Sequence, residues 1–314
     1  SENPSEVFAV QFSPDGRLLA VGCNDGVIRL YQTSSGRLAY TLGVGSTDPL
    51  PVTALRFRPT SASAKTKNVL LSVSADGTAK HWHITSGRCL HEISDMENQL
   101  YCVDYRRDGA VFATAGKDRA VRLYDEATKA IVTEMASGVA GVTPGHSNRV
   151  FSLKFDPDND ATIVTGGWDN TVQIWDARAG HAVRSFYGPH VCGDSVDVVD
   201  GVVLTGSWRP EDPLETWDLA SGKRISSIKW DHSALGGDPC LLYAAKFSKD
   251  GGSLIAAGGS GSNEAKVFDR RDGNTCVGAL TGLTRGVFTL DWHQNRLLAC
   301  GGGDACVRLF EMRD

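Results

Sequence analysis

His81 and His83 flank Trp82 in the run LLSVSADGTAKHWH. On a strand, residues two apart share one face, so both imidazoles could reach one metal ion. No nearby carboxylate completes a ligand set, and an exposed or capped pair is the expectation. The glycine-rich runs GGSGSNE (258–264) and CGGGDA (300–305) have the composition of phosphate loops. Each leads into a strand rather than a helix, so the helix N-terminus that binds phosphate is missing and both read as turns. The eight cysteines, Cys23, Cys89, Cys102, Cys192, Cys240, Cys276, Cys300 and Cys306, form no C-x-x-C. Cys300 and Cys306 could face each other across a hairpin, but no second pair makes a zinc site, and buried reduced thiols are expected. There is no G-x-S-x-G and no H-E-x-x-H. These residues predict no catalytic site, no metal, no cofactor and no enzymatic activity.

The elements that carry these residues repeat. LLAVGCNDGVIRLY (18–31), VFATAGKDRAVRLY (111–124), TGGWDNTVQIWDARAG (165–180) and LLACGGGDACVRLF (297–310) share one shape. A period-2 apolar run meets a turn of Gly, Asp or Asn, and a second run closes on an aromatic, which is the signature of a hairpin. The closing aromatics are Tyr31, Trp82, Tyr124, Trp175, Trp217, Phe268 and Phe310, at intervals of 51, 42, 51, 42, 51 and 42. A preceding strand (VFAVQF, VTALRF, LYCVDY, VFSLKF, a weak SVDVV, LYAAKF, VFTLDW) and a following one make four per unit. Seven such units cover the 314 residues, so one closed ring replaces the two domains that length alone suggests. The expectation is an all-β, single domain over 1–314: a seven-bladed β-propeller of four-stranded antiparallel blades. The blades span approximately 7–43, 51–93, 99–135, 146–187, 194–229, 241–280 and 286–314.

This pattern resembles the WD-repeat β-propeller family over essentially the whole chain. Gly145-His146, Thr165, Asp169 and Trp175-Asp176 match its motif best. The resemblance implies a hydrogen-bond network of His146, Thr165, Asp169 and Trp175 inside blade four. Blade two keeps Ser72, Asp76 and Trp82 without a Gly-His, and blades one, three and seven keep only the turn aspartates Asp25, Asp118 and Asp304. Six blades have a fourth strand in sequence, but only EMRD follows Phe310. Blade seven is therefore expected to be three-stranded, with an edge open to strand addition by a partner, or to have lost its closing strand by trimming.

The net charge of −5 argues against a broad nucleic-acid surface, and no stretch has the apolar length of a membrane span. The opening SENPSE has neither the basic region nor the apolar run of a secretion signal. Long loops at 44–51, 136–145, 209–213 and 230–240 gather on the top face, where the fourth-to-first and second-to-third connections lie, while 61–68 points the other way. Long loops on one rim are the usual place for recognition. Trp168 and Trp208 occupy matching positions there, with Arg209 beside them, and read either as binding hot spots or as core.

Phe8, Tyr101, Phe151, Tyr243 and Phe288 share a register near the start of the innermost strand, with Thr53 and Ser195 as the other two members. In propellers that bind peptides through the central opening, such aromatics clamp an inserted basic side chain. Alternation also puts Phe8 on the face of Val10 and Phe12, which is the reading of an interblade core residue.

Trp175-Asp176-Ala177-Arg178 resembles the W-D-x-R box of cullin-RING ligase substrate receptors, with Phe268-Asp269-Arg270-Arg271 as a looser copy. In that reading Arg178 and Arg270 dock the ligase adaptor. The function expected first is a non-catalytic protein-interaction scaffold in a larger assembly, engaging proteins or peptides and neither nucleic acid nor membrane. Its expected location is the cytoplasm, with nuclear, cytoskeletal or ciliary assemblies as further settings.

Overall fold

The computed structural model describes residues 3–43, 49–59, 68–95, 97–137, 144–231 and 238–312. Blade one is built from β1 (Val7–Phe12), β2 (Leu18–Cys23), β3 (Ile28–Gln32) and β4 (Leu38–Leu42), and blade two from β5 (Val52–Phe57), β6 (Val69–Ser74), β7 (Thr78–His83) and β8 (Arg88–Ser94). Blade three follows with β9 (Leu100–Tyr105), β10 (Val111–Gly116), β11 (Val121–Asp125) and β12 (Ile131–Met135). Blade four holds β13 (Val150–Phe155), β14 (Thr162–Gly167), β15 (Thr171–Asp176) and β16 (His181–Tyr187). Blade five has β17 (Val196–Val199), β18 (Val202–Gly206), β19 (Leu214–Asp218) and β20 (Arg224–Ser227). Blade six has β21 (Cys240–Phe247), β22 (Leu254–Gly261), β23 (Ala265–Asp269) and β24 (Thr275–Leu280). In blade seven β25 (Val287–His293), β26 (Leu297–Gly302) and β27 (Val307–Glu311) form a three-stranded sheet, as the sequence predicts. All pairings within blades are antiparallel between chain neighbours.

Burial explains the order of strands in each blade. The second strands, such as β14 and β22, are buried along most of their length because a neighbouring blade covers each face. The fourth strands, such as β8, are mostly exposed and carry polar residues. Seven buried apolar clusters result, each shared by two adjacent blades. Trp175 of blade four packs with Cys102 and Val121 of blade three, and Val7, Val10 and Phe12 of blade one pack with Ala299 and Val307 of blade seven. The ring is closed by that last cluster and by hydrogen bonds from the Val10 and Phe12 amides to Thr289 Oγ1 (3.1 Å) and Asp291 Oδ2 (2.7 Å). Asn3 adds to the closure: its amide donates to the Ala305 carbonyl at 2.8 Å, and its side chain accepts the Tyr31 hydroxyl at 2.6 Å.

Six blades are also braced internally, and the brace varies. In blade four His146 Nδ1–H donates to Asp169 at 2.9 Å, while Nε2 meets the Thr165 hydroxyl at 2.7 Å. The Trp175 indole donates to the same Thr165 oxygen at 2.8 Å, so the four expected residues do meet. His146→Ala removes donors from a buried carboxylate and is expected to lower stability by about 1–3 kcal/mol, read from urea unfolding. Blade two retains the Trp82 to Ser72 bond at 2.9 Å, and blade five pairs Trp217 with Thr205 at 2.9 Å. Blades one, three and seven use an ion pair from the turn aspartate to an arginine four residues on: Asp25–Arg29 (2.7 Å), Asp118–Arg122 (2.5 Å) and Asp304–Arg308 (2.6 Å).

His81 and His83 are each capped: His81 is buried with Nε2–H on Glu126 at 3.1 Å, and His83 meets Ser86. Two sequence expectations fail here. Cys300 lies opposite Arg308 rather than Cys306, because the hairpin register pairs Gly301 with Val307. The innermost position of blade five is Asp194, not Ser195, because Val196 pairs with Thr205 as Leu153 pairs with Thr165. Among the described residues no group of His, Cys, Asp and Glu could hold a metal ion, and no helix is long and apolar enough to cross a membrane. Much of the predicted top-face loops (44–48, 138–143 and 232–237), and most of the 61–68 insertion, lie outside the described residues.

Candidate functional site

The innermost strands β1, β5, β9, β13, β17, β21 and β25 line a central channel, and a bulge near the start of most of them lets the top residue and the one three further on both face it. Near the top, five of the seven positions are aromatic. Phe8, Tyr101, Phe151, Tyr243 and Phe288 are half-buried and line the opening, and Phe151 also packs against the core shared by blades four and five. They surround a cavity of about 380 Å³ that Thr53, Cys192, Glu6 and Asp194 also line.

These rings join the two tryptophans in one chain of contacts. Tyr101 stacks on Phe151 with centroids 4.6 Å apart, and Phe151 lies 5.0 Å from Trp168. Trp168, His190 and Trp208 follow at 6.5 and 6.4 Å, then Tyr243 at 6.5 Å, Phe288 at 5.3 Å and Phe8 at 5.6 Å. Trp168 and Trp208 are 37% and 39% exposed, so neither is folded away as core. Their placement is fixed. The Trp168 indole donates to Cys192 Sγ at 3.0 Å, the Arg149 guanidinium sits 5.2 Å above its ring, and His190 Nδ1–H donates to Asn170 at 2.6 Å. Burial keeps His190 below the usual histidine range and pushes the Cys192 thiol up to about 11.

Arg209 is not part of this surface in the sense expected from sequence. Its guanidinium donates to the carbonyls of Gly188 and Asp212 and to the Glu215 carboxylate, holding the 209–213 loop together. Most of its donors are used internally, and its side chain stays 28% exposed.

Beneath the mouth the channel is polar. One strand position lower, Gln11, Arg56, Asp104, Lys154, Asp197, Lys246 and Asp291 follow one another around the ring, one from each blade. Arg56 meets Asp104 at 3.1 Å, and Lys154 lies 3.5 and 3.9 Å from Asp104 and Asp197. Gln11 donates to Asp291 at 2.8 Å and accepts from Arg56 at 3.4 Å. The three aspartates also tie neighbouring blades by accepting the amides of Phe155, Phe247 and Phe12. Asp194 reaches into the middle of this belt, with Lys246 Nζ at 2.7 Å on one oxygen and Arg56 Nη2 at 3.0 Å on the other. Burial would raise its pKa, but the charges of Arg56 and Lys246 override that and hold it well below the carboxylate range. Asp194 lines both the mouth and a lower vestibule of about 640 Å³. Sequence reading missed this belt, although its members stand three residues after the channel aromatics in five blades.

On the opposite, bottom face Arg178 is exposed and bidentate on Asp176, at 3.1 and 3.3 Å. Its counterpart in blade six is Arg271, bidentate on Asp269 at 2.8 and 3.1 Å, and not Arg270 as expected. Arg270 instead packs 4.7 Å over Phe247 and donates to the Gly252 carbonyl at 2.8 Å.

The family profile described as WD domain, G-beta repeat matches residues 87–125, 139–176 and 274–311, three stretches that each end at the last residue of a third strand. The chain is a WD-repeat β-propeller. A profile for the anaphase-promoting complex subunit 4 WD40 domain matches residues 1–60 of the propeller as well. Among curated proteins it is similar to the U3 small nucleolar RNA-associated protein 21 homolog of Schizosaccharomyces pombe, 27% identical over 71% of this chain and 23% of that protein. It is also similar to the periodic tryptophan protein 2 homolog of Dictyostelium discoideum, 27% identical over 56% of this chain and 18% of the relative. The ribosome biogenesis protein WDR12 homolog of Anopheles gambiae is 24% identical over 98% of this chain and 72% of its own. The propeller thus spans less than a quarter of the first two relatives.

Proposed function

We propose that the propeller is a non-catalytic platform that holds a protein segment on its top face within a larger multiprotein assembly. The observation that carries this is the fixed run of aromatic rings from Tyr101 through Trp168 and Trp208 to Phe8, half-exposed around an open cavity. Rigid, partly exposed aromatics are the side chains that dominate binding at protein interfaces. The names of the relatives, for ribosome biogenesis and for nucleolar RNA, support a proposed setting in an assembly that builds ribosomes, in the nucleolus rather than the cytoplasm. Within it a protein partner fits better than bare RNA, given the net charge of −5.

Affinity capture with the tagged protein tests this. Trp168→Ala with Trp208→Ala is expected to weaken the partner by at least about 30-fold, the about 2 kcal/mol of a single hot spot, and so to reduce it in the captured set. Unchanged capture by a folded double variant would sink the top-face reading, and a diffuse cytoplasmic signal from the tagged protein would sink the setting. One observation favours a second reading: Arg178 and Arg271 present matched, rigid guanidinium groups on the bottom face. Capture of a cullin-RING adaptor, lost on Arg178→Ala with Arg271→Ala, would replace the scaffold by a ligase substrate receptor.

A further inference from the structure

His190 stands between Trp168 and Trp208, and its surroundings fix which of its nitrogens is free. Asn170 sits in the left-handed turn position after Asp169, with φ 60°. Its amide nitrogen donates to the Tyr187 hydroxyl at 3.4 Å, so its oxygen faces His190. That oxygen lies 2.6 Å from His190 Nδ1, and Nδ1 must carry the proton. In a neutral ring Nε2 is then an acceptor, and it meets no donor among the described residues. Burial keeps the ring neutral by holding it below the usual histidine range, against the raising charge of Asp169.

Trp208 supplies the complement. Its amide donates to the His190 carbonyl at 2.8 Å, and the His190 amide donates to Ser207 Oγ at 2.7 Å, so the two residues are tied through the backbone. Their rings lie 6.4 Å apart. The Trp168 indole N–H is committed to Cys192, whereas the Trp208 indole N–H meets no acceptor among the described residues. The rim over blades four and five thus presents one fixed acceptor and one fixed donor, both uncharged, beside two half-exposed indoles. A residue of extended chain shows its N–H and C=O on one side, and the next such residue stands two further on, about 6.6 Å away at roughly 3.3 Å per residue. The spacing of the rings is comparable to that repeat. A hydroxyl, by contrast, carries both functions on one oxygen, and a side-chain carboxamide carries them on one small group.

We propose that His190 and Trp208 form a subsite for the main chain of an extended partner segment, Nε2 accepting one of its amide N–H groups and the indole N–H donating to one of its carbonyls. This rests on the top-face reading and names the part of the segment gripped there. Main-chain hydrogen bonds supply affinity and register, and the rings of Trp168 and Trp208 cover the side chains on either side.

The test titrates the capped tripeptide acetyl-Leu-Ala-Leu-amide into the ¹⁵N-labelled protein, beside the same peptide N-methylated at all three residues and beside propanamide. The indole N–H signal of Trp208 reports binding, and the parent peptide is expected to saturate it and move it downfield. The N-methylated peptide is expected to bind at least about five-fold more weakly, the worth of one hydrogen bond. His190→Phe keeps a ring but has no acceptor, so it is expected to weaken the parent peptide and to abolish the difference between the two. Equal binding of both peptides to the wild type overturns the proposal, and so does a difference that survives in His190→Phe. Saturation by propanamide at the concentration the peptide needs overturns it in favour of a side-chain amide, and saturation by neither peptide overturns it outright. None of these results touches the scaffold reading, which stands or falls on partner capture by the Trp168 and Trp208 double variant.

Discussion

Asp194→Ala is expected to destabilise the propeller by about 3–5 kcal/mol, because it strips the partner from a charge that is held out of water. Lys246 and Arg56 have side chains only 10% and 13% exposed, and Lys246 has no other ion-pair partner among the described residues. Removing one member of such a cluster costs more than removing both, since the orphaned ion is then buried alone. For a chain of this length the loss corresponds to a fall in Tm of about 5–8 °C. Asp194→Ala combined with Lys246→Met should recover most of it. Thermal unfolding followed by circular dichroism measures both variants. A double variant no more stable than the single one would mean that the Asp194 segment is held by packing rather than by charge.

The second large effect is set by pH. Glu126 of blade three is buried among His81 Nε2 at 3.1 Å, Tyr105 OH at 3.2 Å, Arg58 at 3.1 Å and Lys129 at 2.8 Å. Burial disfavours its charge, but the hydrogen bond from His81 and the bond and charge of Lys129 prevail and depress its pKa to about 2. Burial also keeps His81 below its ordinary range, which matches an Nδ1 that meets no hydrogen-bond partner. A carboxylate near 4.5 in the unfolded chain and near 2 in the folded one contributes about 3 kcal/mol above pH 4.5. That contribution disappears as the pH falls from 4.5 towards 2. Glu126→Gln is therefore expected to be markedly less stable than the wild type at pH 7, with the gap closing on acidification. Urea midpoints at pH 7, 5, 4 and 3 measure it; a gap that stays constant to pH 3 would place the stabilisation elsewhere.

The ring, its blade count and the short seventh blade were legible because each rests on local patterning: alternation, turn glycines and an aromatic at a fixed place in every unit. The blade-four brace was legible for the same reason. The arginine braces could have been read too, since DGVIR, DRAVR and DACVR place the pair four residues apart across a turn. The errors came where register decides. SVDVV is too short to fix its own alignment, and only its pairing with β18 shows that Asp194, not Ser195, stands in the aromatic position. The blade-six arginine was misplaced by one residue, and the bonds to Asp269 assign the role to Arg271. Arg209 looked free because its partners are mostly backbone carbonyls, which residue types do not announce. The contact between Arg56 and Asp194 joins residues 138 apart, beyond any local pattern.

The polar belt also constrains how this molecule can change. Its charges alternate from Arg56 through Asp104, Lys154, Asp197 and Lys246 to Asp291, and a cycle with an odd number of members cannot alternate two signs all the way round. One member must be neutral and must present a donor to one side and an acceptor to the other, which is what the carboxamide of Gln11 does. Loss of any one of blades three to six, or duplication of any charged blade, would set like charges side by side at the centre, whereas a change by two adjacent charged blades would preserve the alternation. The belt thus imposes a parity rule on blade number, independent of the repeats that first revealed it.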